Sequence, residues 1–226
     1  MTTPANQSGS IVSLNVGKPK GVEVVSAAGE PSTILTAIFK APVEGRVALR
    51  GYNLEGDRQA DLTVHGGPHK AVYAYPSEHY PYWRDQLPDM ELPYGMFGEN
   101  LTTAGWDEEM IQIGDRFRIG TAILQAAQPR MPCFKLGIRF GRPDIVRRFW
   151  HSGRSGIYFS VVEEGEMGAG DAIDRIEQAQ DSLSVADVVR LYRGDEADPD
   201  KLRLILKLPL PGGWKDRIEE RLYETF

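Results

Sequence analysis

Residues 116–127, RFRIGTAILQAA, decide the fold class of this chain. Two short runs rich in apolar residues flank Gly120, which predicts two strands joined by a turn. Similar runs predict strands at seven further places: 11–16, 33–39, 46–54, 71–75, 97–103, 156–162 and 172–177. Strands this short and this frequent indicate a β-barrel or a sandwich rather than alternating strand–helix units.

Two helices are predicted within this β-rich region. Residues 77–87 begin with Ser77, which is a suitable N-cap residue. Residues 142–153 carry large apolar side chains at helical spacing and end at a glycine.

The pattern changes after about residue 180, where three short helices are predicted. Ser184 and Asp187 have capping-box spacing, and Asp198-Pro199 is typical of a second helix start. Residues 214–226 repeat large apolar side chains four residues apart. We therefore expect a loose N-terminus (1–10), a mainly β domain (11–180) and a three-helix domain (181–226).

The composition excludes several classes of protein. The 226 residues carry a net charge of −6, which argues against broad binding to nucleic acid polymers. One cysteine cannot form an internal disulfide, and no run of apolar residues is long enough to span a membrane. The first residues lack a secretory pattern, so the expected location is the cytoplasm.

The segment 56–75, GDRQADLTVHGGPHKAVYAY, contains paired glycines between two predicted strands. Gly66 and Gly67 permit backbone conformations that point successive N–H groups at an anion, and His65 and Lys70 add side-chain donors. The alternative is a tight turn beside a solvated lysine.

The segment 95–103, GMFGENLTT, combines two glycines with Glu99 and Asn100. An asparagine amide can pair with both donors and acceptors on the edge of a heterocycle. The alternative is a glycine-rich strand entry in which Asn100 bonds its own backbone.

The segment 126–136, AAQPRMPCFKL, holds the single cysteine, Cys133, in a predicted loop framed by two prolines. Arg130 and Lys135 are cationic neighbours, which favour a thiolate, and a thiolate binds soft transition metals. The alternative is a buried cysteine that acts as a small apolar residue. The chain has no CxxC pair, P-loop or GxSxG motif.

In this order, HGGPHKAVYAYP, GENLTT and GDRFRIGTAILQAAQPRMPCFKL resemble the MOSC domain, and the helical tail resembles the YiiM branch of that family. The resemblance covers roughly residues 45–226. It implies a β-barrel domain followed by a small three-helix domain. It also implies the molybdenum cofactor, a pterin that carries molybdenum and a phosphate, and no pyridoxal phosphate is expected.

The resemblance, together with the chemistry of the residues in and beside its motifs, predicts roles for individual residues. Cys133 is the expected molybdenum ligand, and His65 or Glu99 is the expected proton donor. The remaining cofactor-binding residues are expected to pair with the phosphate, the dithiolene or the edge of the pterin: Arg58, His65, Gly66, Gly67, Lys70, Asn100, Arg130 and Lys135.

The function that the resemblance implies is reduction of N-hydroxylated compounds, such as N-hydroxylated purine bases, in detoxification. The chain has no flavin, haem or iron–sulfur motif, so electrons are expected from a separate reductase. The alternative is a sulfur or cofactor carrier that holds a persulfide on Cys133. The sequence does not determine the oligomeric state, and a homodimer is one possible state.

Overall fold

Seven strands close into a barrel in the computed structural model, which describes residues 8–25, 29–60 and 66–225. The side chains of residues 224 and 225 are outside this description. The strands are β1 (Ser8–Val16), β2 (Lys20–Val25), β3 (Pro31–Thr36), β4 (Ala41–Pro42), β5 (Val47–Arg50), β6 (Asn53–Leu54), β7 (Val72–Pro76), β8 (Leu101–Ala104), β9 (Arg116–Ile119), β10 (Ala122–Pro129), β11 (Ile157–Glu163), β12 (Gly165–Met167) and β13 (Ala172–Glu177).

The barrel has the strand order β13-β9-β10-β11-β7-β8-β1, and pairing of β1 with β13 closes it. Strand β4 extends the sheet beside β1. All barrel neighbours are antiparallel except β7 and β8, which are parallel and are joined by a long crossover. Two smaller sheets, β12-β5-β6 and β2-β3, complete the β structure, so the predicted β-barrel class is confirmed.

The predicted loose N-terminus is partly wrong. Residues 1–7 lie outside the described residues, but Ser8, Gly9 and Ser10 belong to β1 and pair with β13. These small residues suit this position because Trp106 packs directly over Gly9, where a Cβ atom would lie 2.3 Å from its ring. The barrel therefore needs three residues that the sequence pattern assigned to the tail.

Among the residues that the structure describes, six α-helices accompany the strands: α1 (His79–Gln86), α2 (Phe134–Phe140), α3 (Asp144–Ser152), α4 (Val185–Arg193), α5 (Pro199–Lys207) and α6 (Gly212–Thr225). The predicted cap of α1 is wrong, since Glu78 precedes the helix and the Ser77 hydroxyl donates to the Glu78 carboxylate instead. None of the helices in the described part of the chain is long and apolar enough to cross a membrane.

Two buried clusters hold the fold together. The first fills the barrel, with Phe117 and Leu124 at its centre. The second is aromatic and packs α1, α2 and α3 against β7. In it Tyr75 stacks on Phe97 with ring centroids 4.5 Å apart, and Trp83 stacks on Phe149 at 6.0 Å. Aromatic burial on this scale is a major stabilising contribution.

The three C-terminal helices share the barrel's core instead of forming a separate one. Trp214 and Ile218 of α6 belong to the first cluster, and the Trp214 indole donates to the Gln128 side chain on β10 at 2.8 Å. The predicted three-helix unit is therefore confirmed as structure. The predicted domain boundary near residue 180 stays a prediction.

The capping box predicted at α4 is present and extends into an ionic network. Ser184 and Asp187 bond each other's backbone N–H groups. Asp187 also pairs with Arg190 at 2.9 Å and with Lys201 of α5 at 3.0 Å. Burial would raise the pKa of Asp187, but hydrogen bonds from Arg190, Ser184 and Lys201 lower it to about 2. The carboxylate thus links α4 to α5.

We expect Asp187→Asn to lower the free energy of unfolding by about 1 kcal/mol at neutral pH, because the cap and both ion pairs weaken. The folded pKa lies below the unfolded value of 3.8, so this stabilisation is complete above the unfolded value and disappears as pH falls toward 2. Thermal denaturation of both proteins between pH 7 and pH 2 measures the difference. The control is Asp200→Asn, because Asp200 is almost fully exposed. Equal losses for the two variants would contradict the network.

Candidate functional site

A solvent-open cleft lies beside the barrel, and its volume of about 680 Å³ includes space that is open to solvent. Its walls come from the connection after β3, the loop after β6, the turn before β7 and the connection between β10 and α2. These segments are far apart in sequence, and the barrel brings them to one place. The cleft is therefore a product of the topology.

The side chains that line the cleft carry an excess of positive charge. Five basic side chains and one carboxylate belong to the described lining: Lys40, Arg58, Lys70, Arg130 and Lys135, with Asp57. The whole chain has a net charge of −6. The positive charge is therefore concentrated locally, which favours an anionic ligand.

Asp57 connects three segments of the chain at the cleft. It is 4% exposed. One carboxylate oxygen accepts the Gly17 N–H at 2.8 Å and pairs with the Lys40 ammonium. The other oxygen accepts from the Asn100 amide at 2.9 Å. Burial lowers the pKa of Lys40, and the pairing with Asp57 opposes that shift. The cleft floor is thus a satisfied buried ion pair.

Asn100 lines the cleft, but its amide is already paired within the protein. Its oxygen accepts the Tyr73 backbone N–H at 3.1 Å, and its nitrogen donates to Asp57 and, at 3.4 Å, to the Asn15 carbonyl. The expectation that the Asn100 amide pairs with the edge of a heterocycle is therefore corrected. Asn100 joins β7 to the cleft floor instead.

Glu99 does not line the cleft, and the expectation that it donates protons there is wrong. Its carboxylate is fully buried and accepts four hydrogen bonds. The donors are the Tyr80 hydroxyl, the Gly95 N–H at 2.8 Å, the Phe97 N–H at 3.1 Å and the Thr102 hydroxyl at 2.9 Å. Burial raises the pKa of Glu99, while these hydrogen bonds oppose the shift. Glu99 holds the turn before β8.

The two glycines of that turn allow another segment to pass close by. Gly95 and Gly98 have φ of 84° and 78°. A Cβ atom at Gly95 would lie 2.8 Å from the Lys40 carbonyl oxygen, and one at Gly98 would lie 2.8 Å from Ile38. The glycines therefore leave room for the segment that carries Lys40 into the cleft.

Arg130 is a buried cation in the cleft wall, with 6% of its surface exposed. Its guanidinium donates to the Phe97 carbonyl and lies 4.7 Å from the centre of the Tyr73 ring. Burial would lower the pKa of Arg130, but Tyr73, Tyr158 and Cys133 hold it above its usual range. Arg130 therefore keeps its charge inside the wall.

Cys133 lines the same cleft and is half-buried at the N-cap of α2. β10 continues to Pro129 and α2 starts at Phe134, so the predicted loop that holds Cys133 is the short connection between them. Cys133 interacts electrostatically with Lys70 and Arg130. Burial lowers the pKa of Lys70, and Cys133 opposes that shift.

Most of the predicted site residues in the described chain meet at this cleft. Its lining contains seven of them: Arg58, Gly66, Lys70, Asn100, Arg130, Cys133 and Lys135. Gly67 has φ of 82° and precedes the short 3₁₀ turn at Pro68–Lys70. His65 lies outside the described residues, so its predicted role stays a prediction.

Two family models match this sequence in tandem. The MOSC domain model matches residues 61–174, and the YiiM-like, 3-alpha helix domain model matches residues 183–224. YflK of Bacillus subtilis is 40% identical over 207 residues, which cover 91% of each chain. The chain belongs to the MOSC family.

Two further proteins are similar to this chain, one by structure and one by sequence. The crystal structure of YiiM from Geobacillus stearothermophilus is 33% identical and has a TM-score of 0.75. The match covers 95% of this chain and 99% of that one. A protein of Gibberella moniliformis named "Reductase" is 32% identical over 98% of this chain, which spans only 39% of that protein.

MOSC domains are associated with binding of the molybdenum cofactor, and the chemistry of this cleft fits that group. The cofactor is an anion with a phosphate and sulfur ligands, and the cleft offers basic side chains around one thiol. Gly66 at the lining also exposes backbone close to the basic side chains. The residues present therefore fit the cofactor by charge and by donor type.

The lining residues that the sequence interpretation missed include four on which the site depends: Lys40, Asp57, Tyr73 and Tyr158. Tyr73 and Tyr158 read only as strand residues, and their rings lie 4.9 Å apart. Lys40 and Asp57 lie before the region that the MOSC model matches. The glycine spacing of GMFGEN was the available signal, since it indicates a close backbone approach by another segment.

We expect Lys40→Met to lower the free energy of unfolding by about 3 kcal/mol, because Asp57 would remain buried without its cation. Denaturant titration of Lys40→Met, Asp57→Asn and the double variant measures the coupling. The double variant should lose less than the sum of the single losses. Losses that add within about 0.5 kcal/mol would contradict an energetic link between the two residues.

Proposed function

We propose that this cleft binds the molybdenum cofactor, with Cys133 as a metal ligand, and that the protein reduces N-hydroxylated compounds such as N-hydroxylated purine bases. The observation that carries the proposal is the position of the single cysteine. Cys133 lines a cleft that also contains five basic side chains, in a chain of negative net charge.

Different parts of the cleft suit different parts of the cofactor. Lys70 and Arg58, with the backbone of Gly66, suit the phosphate, because backbone N–H groups and cations together bind such anions. Arg130 and Lys135 suit the negative charge near the sulfur ligands. One protein thiolate is a suitable complement to a metal whose other ligands come from its cofactor.

The bound cofactor supplies the two-electron redox chemistry, while the protein binds, orients and protonates. The overall reaction takes R–NH–OH, two electrons and two protons to R–NH₂ and H₂O. The electrons come from an external donor, and the protons come from solvent through groups in the cleft.

Lys70 is a suitable group to hold those protons. Burial lowers the pKa of its ammonium group, which brings it closer to the pH at which it can give up a proton. Lys70 lines the cleft together with Cys133. Lys40 is committed to the ion pair with buried Asp57, and Glu99 does not line the cleft. We therefore assign proton delivery to Lys70, beside the untested His65.

The aromatic wall favours a planar substrate. The Tyr158 ring lines the cleft and is held against Tyr73. Flat apolar ring faces bind planar heterocycles by stacking, and a purine base has such a face. The name of the fungal relative, "Reductase", also supports a reductive reaction.

We expect Cys133→Ser, tested in a host that makes the cofactor, to lose most of its molybdenum and at least 100-fold of its reduction rate. The physical reason is that a serine hydroxyl is a poor ligand for a soft metal centre. Elemental analysis and the rate with a chemical reductant and 6-N-hydroxylaminopurine measure the two effects. Full activity in this variant would reject the ligand assignment.

The same preparation tests the carrier alternative. A cyanide-labile sulfur on Cys133, found without molybdenum or pterin, would replace the reductase by a sulfur carrier. Bound molybdenum and pterin without that sulfur would support the reductase.

We expect Lys70→Ala and Arg58→Ala each to weaken retention of the cofactor about tenfold, since each removes one charge-assisted contact to an anion. Pterin fluorescence after gel filtration at rising salt measures the retention. Arg118→Ala is the control, because Arg118 is exposed on β9 and is not part of the cleft lining. Equal retention in all three variants would place the phosphate elsewhere.

A further inference from the structure

The Gln128 side chain on β10 connects the C-terminal helices to the turn that carries Lys70. It is 3% exposed. Its oxygen accepts from the Trp214 indole of α6 at 2.8 Å, and its amide nitrogen donates to the His69 carbonyl at 2.9 Å. No described residue of α4, α5 or α6 lines the cleft, yet these two bonds reach a turn that does line it.

The chemistry of the two partners requires a group such as an amide between them. The indole N–H can only donate a hydrogen bond, and a backbone carbonyl can only accept one. A residue that bridges them must therefore accept with one atom and donate with another, as a glutamine does. Because the indole bonds the Gln128 oxygen, it also directs the amide nitrogen toward the His69 carbonyl.

The bond to His69 holds the peptide group that joins His69 to Lys70. This group is planar, so fixing its carbonyl oxygen fixes its N–H as well. The N–H donates to the Gly67 carbonyl at 3.1 Å, so both polar ends of the group are bonded. Gly66 and Lys70 of the same turn line the cleft. The direction in which Lys70 leaves the turn therefore depends on this arrangement.

The two elements that hold the bridge are themselves buried. The Trp214 side chain is buried, and the Tyr192 ring of α4 packs edge-on against it with ring centroids 4.8 Å apart. On the barrel side, the pairing of β10 with β11 shifts register between Ala126 and Gln128. Irregularities of this kind re-aim a side chain. The bridge thus joins the packed interior of the helical region to the barrel wall.

We propose that Gln128 is a positioning residue for the cofactor phosphate: through Trp214 and His69, the C-terminal helices set the direction of Lys70 at the cleft. The inference rests on the proposed function, in which Lys70 binds the phosphate. Gln128 does not line the cleft, so its effect on the ligand must pass through Lys70. That effect should therefore disappear where Lys70 is removed.

The test uses the cofactor-loaded full chain, produced in a host that makes the cofactor, and follows loss of the pterin by fluorescence after dilution. Gln128→Met removes both hydrogen bonds but keeps the length of the side chain. Trp214→Phe removes the indole donor and keeps an aromatic ring in the core, so it serves where Gln128→Met does not fold. Both variants are also combined with Lys70→Ala. Gln125→Met is the matched control, because Gln125 lies on the same strand, bonds Arg116 at 3.1 Å and does not line the cleft.

We expect the pterin dissociation rate to rise about fivefold in Gln128→Met and about threefold in Trp214→Phe, because both changes release the His69 carbonyl. Gln125→Met should stay within about twofold of the wild type. Lys70→Ala should raise the rate about tenfold, and adding either bridge variant to it should change that rate by less than about twofold. A change that only loosened the fold would multiply the two effects instead.

Two outcomes on loaded protein would overturn the inference. Dissociation from the bridge variants at the rate of Gln125→Met would show that the bridge does not act on the ligand. Multiplied effects in the combinations with Lys70→Ala would make Gln128 a general support of the fold. Wild type that carries no pterin would instead reject the proposed function, and this inference with it. Because pterin loss is measured without turnover, loaded protein that fails to reduce N-hydroxylated bases would reject the proposed reaction alone.

Discussion

The buried carboxylate of Asp57 is the contact on which the cleft depends. It joins Lys40, Asn100 and the backbone of Gly17, three segments that the chain reaches at widely separated points. A buried carboxylate is tolerated only where such partners satisfy it. Asp57 therefore fixes the position of these segments, and the partners that they supply allow its carboxylate to be buried. The floor that results holds Lys40 at the cleft without exposing it.

A second set of contacts connects the turn before β8 to the cleft wall. The Glu99 carboxylate accepts hydrogen bonds from N–H groups of this turn, and these bonds fix the direction of the Phe97 carbonyl. Arg130 donates to that carbonyl, so its charge is positioned by a residue that never reaches the cleft. A carboxylate that looks catalytic in the sequence thus acts two contacts away from any ligand. This division explains why removing it would disturb geometry rather than chemistry.

The sequence predicted those features that depend on local chemistry. The barrel strands, the capping box at Ser184 and the meeting of Lys70 and Cys133 at one site follow from patterns or from family resemblance, whereas the short strands β2, β4 and β12 were not predicted. It failed where a long-range contact decides the outcome. The helix α2 is short and follows two prolines, so no periodic pattern predicts it. Lys40 reads as an ordinary solvated lysine until the barrel places it beside Asp57. The Glu99 carboxylate gave no local sign that four donors would surround it.

The position of the charges reconciles an acidic protein with an anion-binding cleft. Charges on exposed surfaces are screened within about 8 Å at physiological ionic strength, so the net charge of −6 acts weakly at the cleft. Many acidic side chains are also neutralised locally, as Asp187 is by Arg190 and Lys201. Inside the wall, by contrast, Arg130 lies in a medium of low dielectric, where its field on a nearby ligand is much stronger. The few cations that line the cleft therefore decide what it binds.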